Sequence, residues 1–250
     1  MKVWSDAHRT LYNANCRSMV ELADNTVQCV VTSPPYWGLR KYAGEQESIW
    51  GGRQDCEHLW GEKIETGDNR YRGKNSIVGA QHNASVWGGG KLLSSFCSLC
   101  GAWRGAYGLE PTPALYVEHT VEILWEIRRV LRKDGVVFWN IDDSYAGSGG
   151  PGSQYDNKAT EKGKEFEKFG NPNRGKNGTI KAKDMCLIPF HVAIAAQEDG
   201  WYVRSVIIWN KPNPMPESVT DRPTGSHEYI LMLTKSAHYF WDMESVREDC

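Results

Sequence analysis

The chain has 250 residues, of which 40% are hydrophobic and 11% aromatic, enough apolar material for one sizeable α/β domain. No apolar stretch approaches the roughly 20 residues that span a bilayer, and no signal peptide is recognisable, so we expect a soluble, cytoplasmic protein without a membrane partner. The formal net charge of −2 argues against indiscriminate binding to nucleic acid, so any such contact must come from a local basic patch.

Helical and strand-like patterns alternate along the chain, which predicts an α/β fold with a mostly parallel sheet and helices on both faces. Apolar spacing predicts three helices, at residues 16–23, 113–132 and 187–199. β-branched runs predict four strands, at residues 27–32, 135–141, 203–209 and 229–234. Two polar segments interrupt this order: a Cys/His insertion at 44–110 and a flexible Gly/Lys-rich loop at 146–183.

The first of these strands, residues 27–32, stops abruptly at two prolines, which cannot continue it. Ligands of α/β sheets bind outside the carboxyl ends of the strands. Prolines lack an N–H, so this turn offers carbonyl oxygens, a hydroxyl and two flat rings. The pattern favours a site for the N–H donors of a planar ring over an exposed proline-rich docking peptide. The candidate residues are Ser33, Pro34, Pro35, Tyr36 and Trp37.

The segment Thr32–Trp37 resembles motif IV of the DNA amino-methyltransferases, which methylate N4 of cytosine or N6 of adenine. Residues 124–141, followed by Asp142–Tyr145, and residues 207–230 resemble later segments of that family. The order, with motif IV near the N-terminus, is similar to the β group of these enzymes. The resemblance implies a Rossmann-like methyltransferase catalytic domain over residues 1–250, acting on double-stranded DNA in a restriction-modification setting.

The resemblance also implies a mechanism. The Ser33 hydroxyl and the Pro34 carbonyl would accept the hydrogens of the exocyclic amine, freeing its lone pair to attack the methyl group of S-adenosylmethionine. Pro35 and Tyr36 complete the catalytic motif, and the flipped-out base would stack on Tyr36 and Trp37. Serine at position 33 resembles the N4-cytosine enzymes more than the N6-adenine enzymes, which remain the alternative.

The chain departs from the family pattern on the donor side. The family's target-recognition region and its Phe-x-Gly-x-Gly loop are not found, and Asn15 stands where an acidic residue is usual. Asn15 and Ser33 are therefore the cofactor-binding candidates. A missing C-terminal segment or a second chain would complete the donor site. The rival interpretation from another class is a catalytically incomplete, zinc-containing DNA-binding or interaction subunit.

The Cys/His insertion contains a candidate structural zinc site, and a polar insertion of this size gains folding free energy from a metal. The two half-sites flank one insertion and lie in a reducing compartment, which favours zinc. The alternative is that Cys97 and Cys100 are incidental thiols and His58 is a surface residue. His82 is the alternative fourth ligand. The predicted ligands are Cys56, His58, Cys97 and Cys100.

A basic stretch at residues 156–183 carries eight Lys/Arg and four Asp/Glu. Its composition predicts a solvated, disordered loop, which is also able to order on a phosphate backbone.

Overall fold

The computed structural model describes residues 2–38, 46–60, 95–146, 180–181, 183–214, 216–217 and 219–247. The predicted alternative ligand His82 and nearly all of the basic stretch 156–183 lie outside the described residues. The elements in chain order are β1 (Lys2–Ser5), β2 (Thr10–Tyr12), β3 (Val27–Thr32), β4 (Glu47–Trp50), β5 (Trp103–Ala106), α1 (Pro113–Val130), β6 (Leu131–Ile141), α2 (Ile188–Glu198), β7 (Tyr202–Asn210) and β8 (His227–Thr234), followed by a 3-10 turn at Glu244–Val246.

Four strands form the central sheet in the order β3-β6-β8-β7, while β1 with β2 and β4 with β5 form two-stranded sheets. Strand β3 runs parallel to β6, with Thr32 opposite Trp139, and β7 runs antiparallel to β8. The predicted α/β class is confirmed, and the sheet is mixed among the described strands. The four strands expected from β-branched runs all form.

Helix α1 forms because its apolar residues recur on one face. Val117, Val121, Leu124 and Ile127 are buried, and the Thr112 hydroxyl caps the first turn by accepting the Leu115 N–H at 3.2 Å. The helix ends at Val130 and β6 begins at the next residue. Gly135 lies within β6, where the pairing with β3 shifts register.

The helix predicted over residues 16–23 is absent; the structure has isolated turns there, such as Ser18 N–H to Asn15 O at 3.0 Å. Side chains of α1 satisfy the backbone instead. The Arg129 guanidinium donates to the carbonyls of Met19 and Leu22, at 2.9 and 3.0 Å. The apolar spacing was therefore misleading, because long-range partners replaced the hydrogen bonds that a helix would have made.

The chain divides into two compact units. The first comprises Met1–Ser33, Thr120–Asn140 and Ala196–Cys250, and the second comprises Pro34–His119 and Ile141–Ala195. The first unit contains the central sheet, and the second contains the β4–β5 strand pair and the Cys/His residues. Within the described ranges, every helix is too short or too polar to cross a membrane.

Candidate active site at the end of strand β3

The Ser-Pro-Pro-Tyr-Trp segment directly follows the last residue of β3. Ser33 is exposed, Pro34 is buried and Tyr36 is half-buried. Trp37 is only 3% exposed, and its indole N–H donates to the Glu110 carbonyl at 2.8 Å. The segment therefore has an exposed serine at one end and is anchored by a buried aromatic ring at the other.

A second segment, residues 106–112, lies against this turn, and we call it the strap. Gly38 N–H donates to the Gly108 carbonyl at 2.8 Å. Gly108 has a φ of +91°, and a Cβ added there would lie 2.9 Å from Pro35 Cβ and 3.2 Å from Pro35 O. Both the left-handed backbone and the close approach require glycine at this position. The strap thus packs backbone to backbone against Ser33–Trp37, which we call the proline turn.

Glu110 joins the strap to helix α1 through a fully buried carboxyl group. Its Oε2 accepts the Gly108 N–H at 2.8 Å, and its Oε1 lies 2.9 Å from His119 Nδ1. Burial raises the pKa of Glu110 to about 8, against the opposing effect of backbone hydrogen bonds such as that from Gly108. A neutral Glu110 donates from Oε1 to His119 and accepts from Gly108, so both buried oxygens are satisfied.

Tyr116 supports the same turn from helix α1. Its hydroxyl donates to the Pro35 carbonyl at 3.0 Å, and its ring stacks on Tyr107 with centroids 5.0 Å apart. Sequence reasoning missed Glu110, His119 and Tyr116. The signal available was weak: a carboxylate just before the prolines that open a helix, and polar residues on that helix's apolar face.

The Asp142–Tyr145 segment follows β6, the parallel neighbour of β3, so both strands deliver their next residues to the same sheet edge. Asp143 Oδ1 accepts the N–H of Ser144 at 2.8 Å and that of Ile188, the first residue of α2, at 3.2 Å. Burial raises the pKa of Asp143, and these backbone hydrogen bonds counteract it. Asp143 therefore orders the N-terminus of α2. That one cleft contains both segments stays a prediction.

Two residues of the 207–230 region are joined to the central sheet. Glu228 on β8 accepts the Asn140 amide of β6 at 2.8 Å and forms an ion pair with Lys211, which follows β7. This network ties together the carboxyl end of β6, the start of β8 and the end of β7. Lys211 thus has a structural role in holding the sheet edge.

Asn15, the donor-side candidate, lies exposed between β2 and β3. Its carboxamide oxygen accepts the Arg17 N–H at 3.0 Å, while Arg17 forms an ion pair with Glu122. Its role in cofactor binding stays a prediction.

The four predicted zinc ligands converge, although the chain separates them into two pairs. One ligand atom from each of Cys56, His58, Cys97 and Cys100 lies within 4.8 Å of the others. The Sγ atoms of Cys56 and Cys97 are 3.9 Å apart, and Cys100 Sγ is 3.3 Å from His58 Nδ1.

Comparisons with known proteins place the chain in a family. The family model described as DNA methylase, which covers N6 and N4 enzymes, matches residues 27–249. The type II methyltransferase M.Cfr9I of Citrobacter freundii is 35% identical over 96% of this chain and 59% of its own length. M.XycI of Xanthomonas campestris pv. cyanopsidis is 34% identical over 96% of the chain and 58% of its own length.

A third relative, M.SmaI of Serratia marcescens, is 33% identical over 94% of the chain and 58% of its own length, so the chain spans somewhat more than half of these relatives. Among solved structures, the PvuII DNA methyltransferase (cytosine-N4-specific) is similar with a TM-score of 0.48 and 11% identity, covering 95% of this chain and 52% of that one. The resemblance carried by the proline turn is confirmed by the family model, and the chain belongs to the N6/N4 DNA methylase family.

Proposed function

We propose that this protein transfers a methyl group from S-adenosylmethionine to the exocyclic N4 of cytosine in double-stranded DNA. The observation that carries the proposal is the turn at Ser33–Trp37, held at the carboxyl end of β3 by the strap and by helix α1. The relatives are type II methyltransferases, which supports a role in DNA modification. The chain spans 58–59% of the lengths of these relatives.

The turn suits the chemistry of an aromatic amine. The lone pair of such an amine is delocalised into its ring, so the nitrogen must become more tetrahedral before it attacks. The Ser33 hydroxyl and the Pro34 carbonyl are the acceptors that would draw the two amine hydrogens out of the ring plane. Fixed acceptors also stabilise the positive charge that develops on nitrogen. The hydrogen bond from the Tyr116 hydroxyl to Pro35 O holds the next peptide, Pro35–Tyr36, in place.

The two rings of the turn divide their roles. Trp37 is buried and bonded to the Glu110 carbonyl, so we assign it the task of anchoring the turn. Tyr36 is half-buried and is the ring on which we propose that a flipped base stacks. Stacking compensates part of the cost of taking the base out of the duplex.

The donor side fits in part. S-adenosylmethionine supplies an electrophilic methyl group on a sulfonium. Asn15 has a carboxamide where an acidic residue is usual in the family. The carboxamide retains hydrogen bonding to a hydroxyl of S-adenosylmethionine but lacks the negative charge. We propose Asn15 and Ser33 as the residues of this chain that contact the donor.

The test is nucleoside mass spectrometry of DNA incubated with donor and with the protein in the longest form that its gene encodes. We expect N4-methylcytosine from the wild type, and a loss of about a hundred- to a thousand-fold in rate for Ser33→Ala, because one fixed acceptor is removed. The matched control is Ser5→Ala, an exposed serine on β1, which should turn over normally. DNA affinity should persist in Ser33→Ala, since phosphate contacts supply most of it.

Three outcomes would contradict the proposal. N6-methyladenine would overturn the base assignment, and unchanged turnover by Ser33→Ala would overturn the role of the hydroxyl. DNA binding without donor binding, measured by calorimetry, would favour the catalytically incomplete subunit instead.

A further inference from the structure

The Cys/His residues form a cluster with the dimensions of a tetrahedral metal site. With Zn–S bonds of about 2.3 Å and Zn–N bonds of about 2.0 Å, tetrahedral angles put two sulfur ligands about 3.8 Å apart and a sulfur and a nitrogen about 3.5 Å apart. The corresponding separations here are 3.9 Å for Cys56 and Cys97, and 3.3 Å for Cys100 and His58. A disulfide would need sulfur atoms about 2.05 Å apart, and the described cysteines form no disulfide with one another.

The backbone around Cys97 and Cys100 is arranged to present two sulfurs to one point. Gly101 N–H donates to Cys97 O at 3.0 Å, closing a tight turn, and Leu99 N–H lies 3.4 Å from Cys97 Sγ. Gly52 approaches from the other half of the cluster with a φ of +75°, and a Cβ there would lie 2.8 Å from Cys100 Sγ. Backbone N–H groups directed at sulfur favour the thiolate form that binds metal.

The cluster is connected to the proline turn through aromatic contacts. Trp103, three residues after Cys100, lies opposite Trp50 in the antiparallel β4–β5 strand pair. Both indoles contact His119: the Trp50 ring centroid is 4.3 Å from the imidazole centroid, and that of Trp103 is 5.4 Å away. His119 in turn contacts Glu110, which holds the strap. The imidazole ring of His119 thus contacts both the β4–β5 strand pair and the strap.

We propose that Cys56, His58, Cys97 and Cys100 bind one structural zinc ion, and that this ion supports the proline turn by fixing the β4–β5 strand pair against His119. Four protein ligands fill the coordination sphere, so the ion has no open position for chemistry. Its effect is on folding: metal binding adds folding free energy to the segments that carry the four ligands. The proposal does not depend on which base is methylated.

Metal content gives the first test. Protein purified without chelator should contain one zinc per chain by elemental analysis, and Cys100→Ser should contain less than a tenth of that. The matched control is Cys29→Ser, an exposed thiol outside the cluster, which should keep its zinc. Absence of zinc from the wild type would overturn the proposal, and full zinc content in His58→Ala would overturn the assignment of His58.

Cobalt substitution keeps the test independent of how the variants fold. Wild-type protein titrated with Co²⁺ should show the intense visible absorption of a tetrahedral thiolate site, and Zn²⁺ should abolish it at one equivalent. A weak, octahedral spectrum would overturn the tetrahedral site.

Hydrogen exchange tests the link to the proline turn without any measure of activity. Removing zinc with a chelator should raise exchange at least tenfold in peptides covering residues 34–38 and 106–112, where Gly38 and Gly108 donate their N–H groups. Peptides from the β7–β8 pair serve as the control and should change little. Unchanged exchange in the strap after complete zinc removal would overturn the supporting role.

Discussion

His119 and His58 lie in the same compact unit but in opposite kinds of environment. His119 is 3% exposed, flanked by two tryptophans, and it contacts a buried carboxyl group. His58 is half-buried, and its Nδ1 points at a thiol sulfur. The first belongs to a region held together by burial and neutral hydrogen bonds, and the second to the cluster of Cys/His side chains. The proline turn therefore depends on nearby packing and, in our proposal, on the more distant zinc ion.

The largest effect that would sharpen this contrast is expected from Glu110→Ala. Two buried groups, the Gly108 N–H and the His119 ring, would lose their partner, and each such loss costs about 1–3 kcal/mol, so the free energy of unfolding should fall by about 3 kcal/mol. Urea unfolding measures it, with exposed Glu244→Ala as control. Zinc content should not change. A loss well below about 1 kcal/mol would show that the strap does not rely on Glu110.

The pH dependence of stability follows from the raised pKa of the same carboxyl. A folded-state pKa of about 8 lies above the usual 4.5, so the folded protein holds a proton that the unfolded chain releases. The stabilisation is complete below about pH 4.5 and is lost as the pH rises through 8, at up to about 1.4 kcal/mol per pH unit.

Glu110→Gln isolates this contribution, because its amide imitates the neutral acid: it donates to His119 and accepts from Gly108. The stability of the wild type relative to Glu110→Gln should therefore fall between pH 5 and pH 8 in denaturant titrations. A difference that does not vary with pH, or that rises, would show that Glu110 is ionised in the fold.

Gly108→Ala tests the close approach of the strap to the turn. A left-handed backbone costs an L-residue about 1–2 kcal/mol, and the new Cβ would lie 2.9 Å from Pro35 Cβ, so we expect a loss of about 2 kcal/mol or more. Gly51→Ala is the matched control, because Gly51 has a φ of +63° and nothing within 4 Å of the added Cβ. Thermal unfolding should rank Gly108→Ala as the less stable variant; equal losses would remove the argument for close packing.

Tyr116→Phe should have the smallest effect, about 1 kcal/mol, since it removes the one hydrogen bond to the Pro35 carbonyl while leaving the ring stacked on Tyr107. Chemical denaturation measures it against Tyr12→Phe on the exposed β2 strand. A neutral result would show that the hydroxyl is dispensable for stability and that the ring alone supports the turn.

Local patterns predicted part of this arrangement well. Strand β3 spans Val27–Thr32 as expected, because β-branched residues between Asn25 and two prolines leave little alternative. Helix α1 begins at Pro113 as expected and ends two residues early. The Cys/His set was found from spacing alone, since metal ligands are few and chemically distinctive.

Other features required contacts that no local pattern reveals. The helix expected over residues 16–23 is replaced by turns, because Arg129 and Glu126, more than a hundred residues away, satisfy its backbone groups. Glu110 gave only a weak signal as a buried residue, because carboxylates are almost always exposed unless a partner is present, and its partner His119 lies on a helix whose register is set by packing.

The sequence by itself determined where strand β3 ends, because Pro34 cannot continue it, and it predicts the oxygens and rings beside that break as the catalytic site. It also predicts four candidate metal ligands, with His82 as the alternative fourth. Only the tertiary structure decided what holds the turn in place. Gly108, Glu110, Tyr116 and His119 act through contacts made when distant segments meet, and the free energy of such contacts depends on burial, which appears only once the chain has folded.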